Sequence, residues 1–163
     1  MSNFGYGCIV GPWYSQADEF YRRQLLVSKE DGLAAVGTAP ISDPPQGNQR
    51  ATFYLYSRQN GLWPQPVSGH DPHTEDGWFN PYCPIRNVTA RYPPTMLIHG
   101  TADTDVPYSL SKDMDARLGK TGVAHEFIRV EGAEHGLAGA KPGGSIAGSR
   151  ARRRVRKSTH GLS

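Results

Sequence analysis

"PPTMLIHGTADTDVPYSL", residues 93–110, is the stretch on which the fold turns. Within it TMLIHG (95–100) is an apolar run of strand length, closed by a glycine and a polar turn, in a chain otherwise poor in such runs. The period then changes. In SLSKDMDARLGKTG (109–122), Leu110, Met114 and Leu118 recur at i, i+4 and i+8, which is one face of a helix, and Gly122 is its stop. HEFIRV (125–130) reads as a second strand. Strand, helix and strand with tight joints predict one right-handed βαβ unit of a parallel sheet.

Two chemically useful side chains fall just past the carboxyl ends of those strands: Asp103 after the first and His135, in the glycine-rich EGAEHGLAGAKPGG loop, after the second. Open α/β sheets place ligands and reactive groups at this edge. Neighbouring parallel strands run about 4.8 Å apart, so the two loops are within reach of each other. A carboxylate that accepts an imidazole N–H fixes the tautomer and stabilises the imidazolium formed when the other nitrogen takes a proton. A surface aspartate and a loop histidine in unrelated roles would show the same residues.

The two motifs together tip that balance. His99-Gly100-x-x-Asp103-x-x-Val106-Pro107, followed some thirty residues later by Gly132-x-x-His135-Gly136, resembles the acid and histidine motifs of the α/β-hydrolase superfamily, most of all prolyl oligopeptidase-like serine hydrolases and related esterases. The resemblance implies Asp103 as the acid and His135 as the general base of a Ser-Asp-His triad, with no cofactor and no metal. Asp105 is then a loop residue, solvated or bonded to nearby backbone. The FGYG segment (4–7) resembles the end of the preceding sheet strand, and residues 5–92 resemble an inserted cap. The implied organisation is a strand end plus mainly helical or irregular cap over 1–92, the C-terminal α/β-hydrolase segment over 93–140, and a basic, disordered tail over 141–163.

Chain order in that superfamily is serine, acid, histidine, with the serine on a Gly-x-Ser-x-Gly turn well ahead of the acid. No such pentapeptide precedes Asp103. The nearest match, GGSIA (143–147), follows the histidine and lacks the flanking strand and helix, so Ser145 reads as a loop serine. The strands that would bring the nucleophile and the oxyanion donors are missing as well, so hydrolysis by this chain alone is expected to be negligible. After Leu137 the segment GGSIAGSRARRRVRKSTHGLS has only Ile146, Val155 and Leu162 to serve the amphipathic helix that the superfamily usually places there. A shifted reading frame near Pro142 would give such a change of composition.

Composition bounds the rest. The chain has 163 residues, the length of one domain, but only 37% are hydrophobic, with 13 Pro and 19 Gly, so long loops are expected. The net charge of +3 is set by residues 150–163, which hold six cations and no acid; residues 1–149 carry 12 cations against 15 acids. No leader pattern opens the chain and no apolar run approaches membrane-spanning length, which points to a cytoplasmic protein. Cys8 and Cys83 are far apart and outside any metal-binding spacing, and read as buried free thiols.

Ahead of the decisive stretch, Ser28 with Asp31 three residues on predicts a capped short helix in SKEDGLAAVG, stopping at Gly37. TAPISDPPQGNQ (38–49) is a loop, and RATFYLYSRQNG (50–61) is a helix ending at Gly61, in preference to a strand. Residues 62–94 form a packed irregular segment. GHDPHTED (69–76) gathers His70, Asp71, His73, Glu75 and Asp76 but lacks the i, i+4 histidine spacing of helical zinc sites, and reads as a polar cap loop. Asn87-Val88-Thr89 fits a glycosylation acceptor only by its letters.

Three functions follow. The first is the C-terminal part of a serine hydrolase acting on a small ester or peptide, inactive until a separately encoded N-terminal half supplies the serine. The second is a non-catalytic module that docks on such a half through its exposed sheet edge. The third is a nucleic-acid binder using the basic tail, which the lack of stacking aromatics disfavours. No membrane partner is expected.

Overall fold

The computed structural model describes residues 2–3, 5, 7–34, 36, 49–140 and 146–151. Its strands are β1 (Ser2–Asn3), β2 (Thr95–Gly100), β3 (His125–Val130) and β4 (Ile146–Ala151). Its α-helices are α1 (Pro12–Ser15), α2 (Glu19–Arg22), α3 (Lys29–Leu33), α4 (Gln49–Asn60), α5 (Pro64–Ser68) and α6 (Tyr108–Thr121). Tighter 3-10 turns span Asp76–Tyr82, Pro84–Asn87 and His135–Leu137. Two compact units result, one made of residues 1–8 and 83–163 and the other of residues 9–82. Residues 83–92, expected with the cap, thus belong to the sheet unit.

In the sheet unit the strand order is β1-β2-β3-β4, with β1, β2 and β3 parallel and β4 antiparallel to β3. Thr95 pairs with His125 and Gly100 with Val130, so β2 and β3 end level, and the loops that follow them start side by side. The predicted strands and the helix between them are realised, α6 beginning one residue earlier than the motif suggested. Its inward face carries Ser111, Met114 and Leu118, while Leu110 is only half-buried, so a serine shares the stripe that the sequence pattern drew with leucine. Met114 and Leu118 close on Val88, Leu97, Val123 and Phe127, with Ile85, Tyr92 and Tyr108 packed against them. Each fully buried side chain of this kind contributes roughly 1.5–3 kcal/mol. Gly122 takes φ 72° and ends the helix in the left-handed conformation that glycine adopts without penalty.

Three expectations are corrected here. Cys8 and Cys83 form a disulfide, with Cα atoms 4.3 Å apart across a sequence separation of 75; they are not free thiols. The bridge joins the residues between which the 9–82 unit is inserted, a closeness that sequence separation hides. Residues 146–151, assigned to a disordered tail, pair as β4 with β3 from Ile146↔Val130 to Ala151↔His125, because the free edge of β3 offers unpaired backbone groups. The sheet strand expected at FGYG lies at Ser2–Asn3, against Leu97 and Ile98 of β2. Phe4, Tyr6, Gly37, residues 38–48, Ser145 and the cations from Arg152 to Lys157 lie outside the described residues.

The 9–82 unit is built around α4, which takes the helical reading over the strand reading. Ser28 caps α3 as expected: its Oγ accepts from the Asp31 N–H at 3.1 Å and its hydroxyl donates to Asp31 Oδ2 at 2.7 Å. Gln59 ties down the segment before it, donating to the carbonyls of Tyr21 and Leu25 and accepting from the Val27 N–H. Arg58 is wholly buried on α4, 2.7 Å from Asp18 Oδ2, with its guanidinium carbon 4.3–5.4 Å from the ring centroids of Trp13, Tyr14, Tyr21 and Tyr54. Burial opposes its charge, but Tyr54, the Asp18 hydrogen bond, Tyr21 and Tyr14 outweigh it and raise its pKa. Among the described residues no helix is long and apolar enough to cross a membrane.

Candidate active site

The level ends of β2 and β3 lead into two loops that are laced together. The Thr101 N–H donates to the Val130 carbonyl, the Ala102 N–H to the Ala133 carbonyl, and the Gly132 N–H to Thr101 Oγ1. Gly100 permits this approach: a Cβ there would lie 2.2 Å from the Ala133 carbonyl oxygen, a contact no side chain tolerates. Thr104 Oγ1 reaches Glu134 Oε2 at 3.2 Å, a second tie between the loops.

This lacing brings the two expected residues together. Asp103 Oδ2 lies 3.1 Å from His135 Nδ1; the carboxylate is fully buried and the imidazole is 40% exposed. A carboxylate only accepts, so Nδ1 carries the proton and Nε2 faces outward with its lone pair in the neutral ring. The other oxygen, Asp103 Oδ1, accepts from the N–H groups of Asp105 at 2.9 Å and Val106 at 2.8 Å, a turn in which the side chain organises its own loop. The carboxylate is thereby held from both ends.

Asp105, expected to be solvated or bonded to nearby backbone, also lies near the imidazole. Its Oδ2 lies 3.6 Å from His135 Nε2, beyond hydrogen-bond distance but close enough to attract a charged ring. The Asp103 turn that recruits the Asp105 N–H also carries this second carboxylate round to the imidazole.

Sequence reasoning passed over His99. It is fully buried on β2, with Nδ1 2.7 Å from Ser111 Oγ and Nε2 3.0 Å from the Val106 carbonyl and 3.2 Å from Asp103 Oδ2. The signal for it was present: His99 alternates with Leu97 on the inward face of β2, and a buried imidazole there needs polar partners. Ser111 is the polar residue set into the apolar stripe of α6.

The GHDPHTED residues do not converge on one point. His70 Nδ1 pairs with Glu75 Oε1 at 3.0 Å and its ring stacks on Trp78, whereas His73 Nε2 faces the Ser15 carbonyl at 3.0 Å. The hydrogen bonds from His70 and the Asp71 N–H hold the Glu75 carboxyl below its usual range. Among the described residues no group of three or more His, Cys, Asp or Glu is placed to hold a metal ion.

A family model described as the prolyl oligopeptidase family matches residues 33–152, a span that contains β2, α6, β3 and both site loops. The chain belongs to the prolyl oligopeptidase family. For a prolyl oligopeptidase family member, a parallel strand pair with an intervening helix is a partial α/β-hydrolase fold. Among solved structures, a truncated carbohydrate esterase from gut microbiota matches at 29% identity and TM-score 0.44, covering 48% of this chain and 28% of that one. A puromycin-hydrolysing peptidase of Mycobacterium tuberculosis matches at 17% identity and TM-score 0.38, covering 69% of this chain and 14% of that one. The chain thus spans under a third of either structure. A search of curated proteins finds no match.

Proposed function

We propose that this chain supplies the acid and the general base of a serine hydrolase that cleaves ester or peptide bonds, and that the nucleophilic serine comes from a separately encoded partner half. The observation that supports this reading best is the 3.1 Å contact between buried Asp103 and half-exposed His135, at the carboxyl ends of two paired parallel strands. His135 Nε2 takes the proton of the partner's serine as its oxygen attacks the substrate carbonyl. The imidazolium, stabilised by Asp103, then returns that proton to the leaving alcohol or amine. Water, deprotonated by the same nitrogen, releases the acid product from the acyl-serine. Alone, the chain is inactive, because no Gly-x-Ser-x-Gly turn precedes Asp103.

A partner half is favoured by the sheet. β1 is a two-residue strand at one end of the strand order, with its outer edge open among the described residues, and such an edge is a template for a further strand. The inserted residues 9–82 are the cap of this reading. The Cys8–Cys83 bridge favours an oxidising compartment over the cytoplasm expected from the sequence.

The test is p-nitrophenyl acetate turnover by the chain alone and co-expressed with the product of the neighbouring upstream reading frame. Turnover only by the pair, falling by about 10⁶ in His135→Ala, supports the reading. A soluble, stoichiometric but inactive pair supports instead a non-catalytic association module. Nucleic-acid binding abolished by deleting residues 150–163 would support the basic-tail reading.

A further inference from the structure

The buried carboxylate at the centre of the site is not held by its own loop and His135 alone. Asp103 Oδ2 has two imidazole neighbours, His135 at 3.1 Å on the solvent side and His99 at 3.2 Å on the core side. With the two backbone donors on Oδ1 and His135 on Oδ2 the carboxylate has three donors, while the Nε2–H of His99 beside it is directed at the Val106 carbonyl.

The protonation of His99 follows from its neighbours. The Val106 carbonyl and the Asp103 carboxylate only accept, so the nitrogen facing both, Nε2, carries a proton. In the neutral ring Nδ1 is then an acceptor, and the Ser111 hydroxyl, which reaches it at 2.7 Å, is the donor. Ser111 is itself buried on the inward face of α6, so its hydroxyl has a fixed direction. The hydrogen bonds therefore run in one sense from α6 to solvent. Ser111 donates to His99, His99 donates to the Val106 carbonyl, and the N–H of Val106 donates to Asp103 Oδ1. Asp103 accepts in turn from His135, whose outer nitrogen is left as the base.

We infer that His99 is a positioning residue for the Asp103–His135 pair, with Ser111 setting its tautomer. The inference deepens the hydrolase reading and rests on it for its consequence, although the hydrogen-bond chain itself is testable without turnover. Losing the His99 donor leaves the Val106 carbonyl without the ring N–H, and so loosens the residue whose own N–H holds Asp103 Oδ1. The carboxylate then rotates about its remaining backbone anchors, and His135 is no longer held in one orientation. A residue that only filled space at position 99 would have no such effect on His135.

The experiment is imidazole proton–nitrogen NMR on the full chain, labelled with ¹⁵N-histidine, comparing the wild type with His99→Gln, His99→Leu and Ser111→Ala. In the wild type, His99 should be the Nε2–H tautomer, and His135 should show a downfield Nδ1–H protected from water exchange. Glutamine can put its amide nitrogen where Nε2 was, so His99→Gln should keep the His135 signal. His99→Leu should raise the exchange of that proton by up to about ten-fold, the scale of a lost hydrogen bond between neutral groups. Ser111→Ala should shift the His99 Nδ1 resonance and raise His135 exchange by less, and it decides the matter if the leucine variant does not fold. An Nδ1–H tautomer of His99 in the wild type, or unchanged His135 exchange in the folded variants, overturns the inference. An unprotected His135 proton in the wild type, with His99 in its expected tautomer, overturns the Asp103–His135 pairing on which the hydrolase reading depends.

Discussion

Among the described residues, the sheet unit buries the Asp103 carboxylate and the 9–82 unit the Arg58–Asp18 ion pair, and the two burials serve different ends. In the sheet unit the Asp103 carboxylate is enclosed, but one of its partners, His135, stays 40% exposed, so the charge acts on a nitrogen that solvent or substrate can reach. In the 9–82 unit the Arg58 guanidinium is closed in by Asp18 and four aromatic rings, and both members of the ion pair are nearly inaccessible. A buried charge with an exposed partner is a reactive arrangement. One sealed on all sides is an architectural one, whose removal is felt in stability.

The largest expected effect tests the architectural half. Arg58→Ala leaves the Asp18 charge without its cation and should cost about 3–5 kcal/mol, whereas Arg58→Met with Asp18→Asn, which keeps the side-chain oxygen that caps α2, should recover part of that loss. Urea unfolding followed by tryptophan fluorescence reads this cleanly, because Trp13, Trp63 and Trp78 all lie within residues 9–82. A double variant as unstable as the single one would break the comparison.

Next in size is the bridge that joins the two residues flanking the insertion. Replacing Cys8 and Cys83 by serine should destabilise the chain by about 4 kcal/mol, the chain-entropy value for closing a loop of this length. Equal denaturation midpoints with and without reductant would show that the bridge does not form.

Asp103→Asn should be milder, roughly 1–3 kcal/mol, because the amide keeps the shape and loses one acceptor in a buried network. Hydrogen exchange should localise the loss to β2, β3 and their loops, with the tryptophan signal unchanged. Spread of the effect to residues 9–82 would contradict the separation of the two roles.

The smallest effect is acid sensitivity at exposed Glu75. Its folded-state carboxyl lies below the ordinary 4.5, so its contribution is present above that value and is lost as pH falls through the depressed one. The unfolded chain binds more protons in that window, and stability therefore drops on acidification. Glu75→Gln should flatten this limb of the pH–stability curve slightly, whereas an unchanged limb would remove Glu75 from the account.

What the sequence carried was what local periodicity and local capping can encode. β2, α6 and β3 follow from an apolar run, a helical stripe and a second strand pattern, and Ser28 announces α3 by its spacing to Asp31. The Asp103–His135 contact was legible because both residues sit at strand ends that pairing makes level. What escaped depends on partners distant in the chain. The Cys8–Cys83 bridge spans 75 residues, β4 forms where an edge of β3 is free, and the Arg58 cluster draws Trp13 and Tyr14 from α1 and Tyr21 from α2. His99 was hidden differently: it stands in a motif read for its aspartate, and its role appears only when Ser111 of α6 is seen facing it.

The central claim is that His135 is the base for a serine on another polypeptide. Labelling with a fluorophosphonate, which reacts with activated serines, tests it most directly, by locating the modified residue by mass spectrometry in the co-expressed pair. The account predicts the label on the partner's serine, present with wild-type His135 and absent with His135→Ala. A label on a serine of this chain, or labelling of the partner that persists without His135, would contradict it.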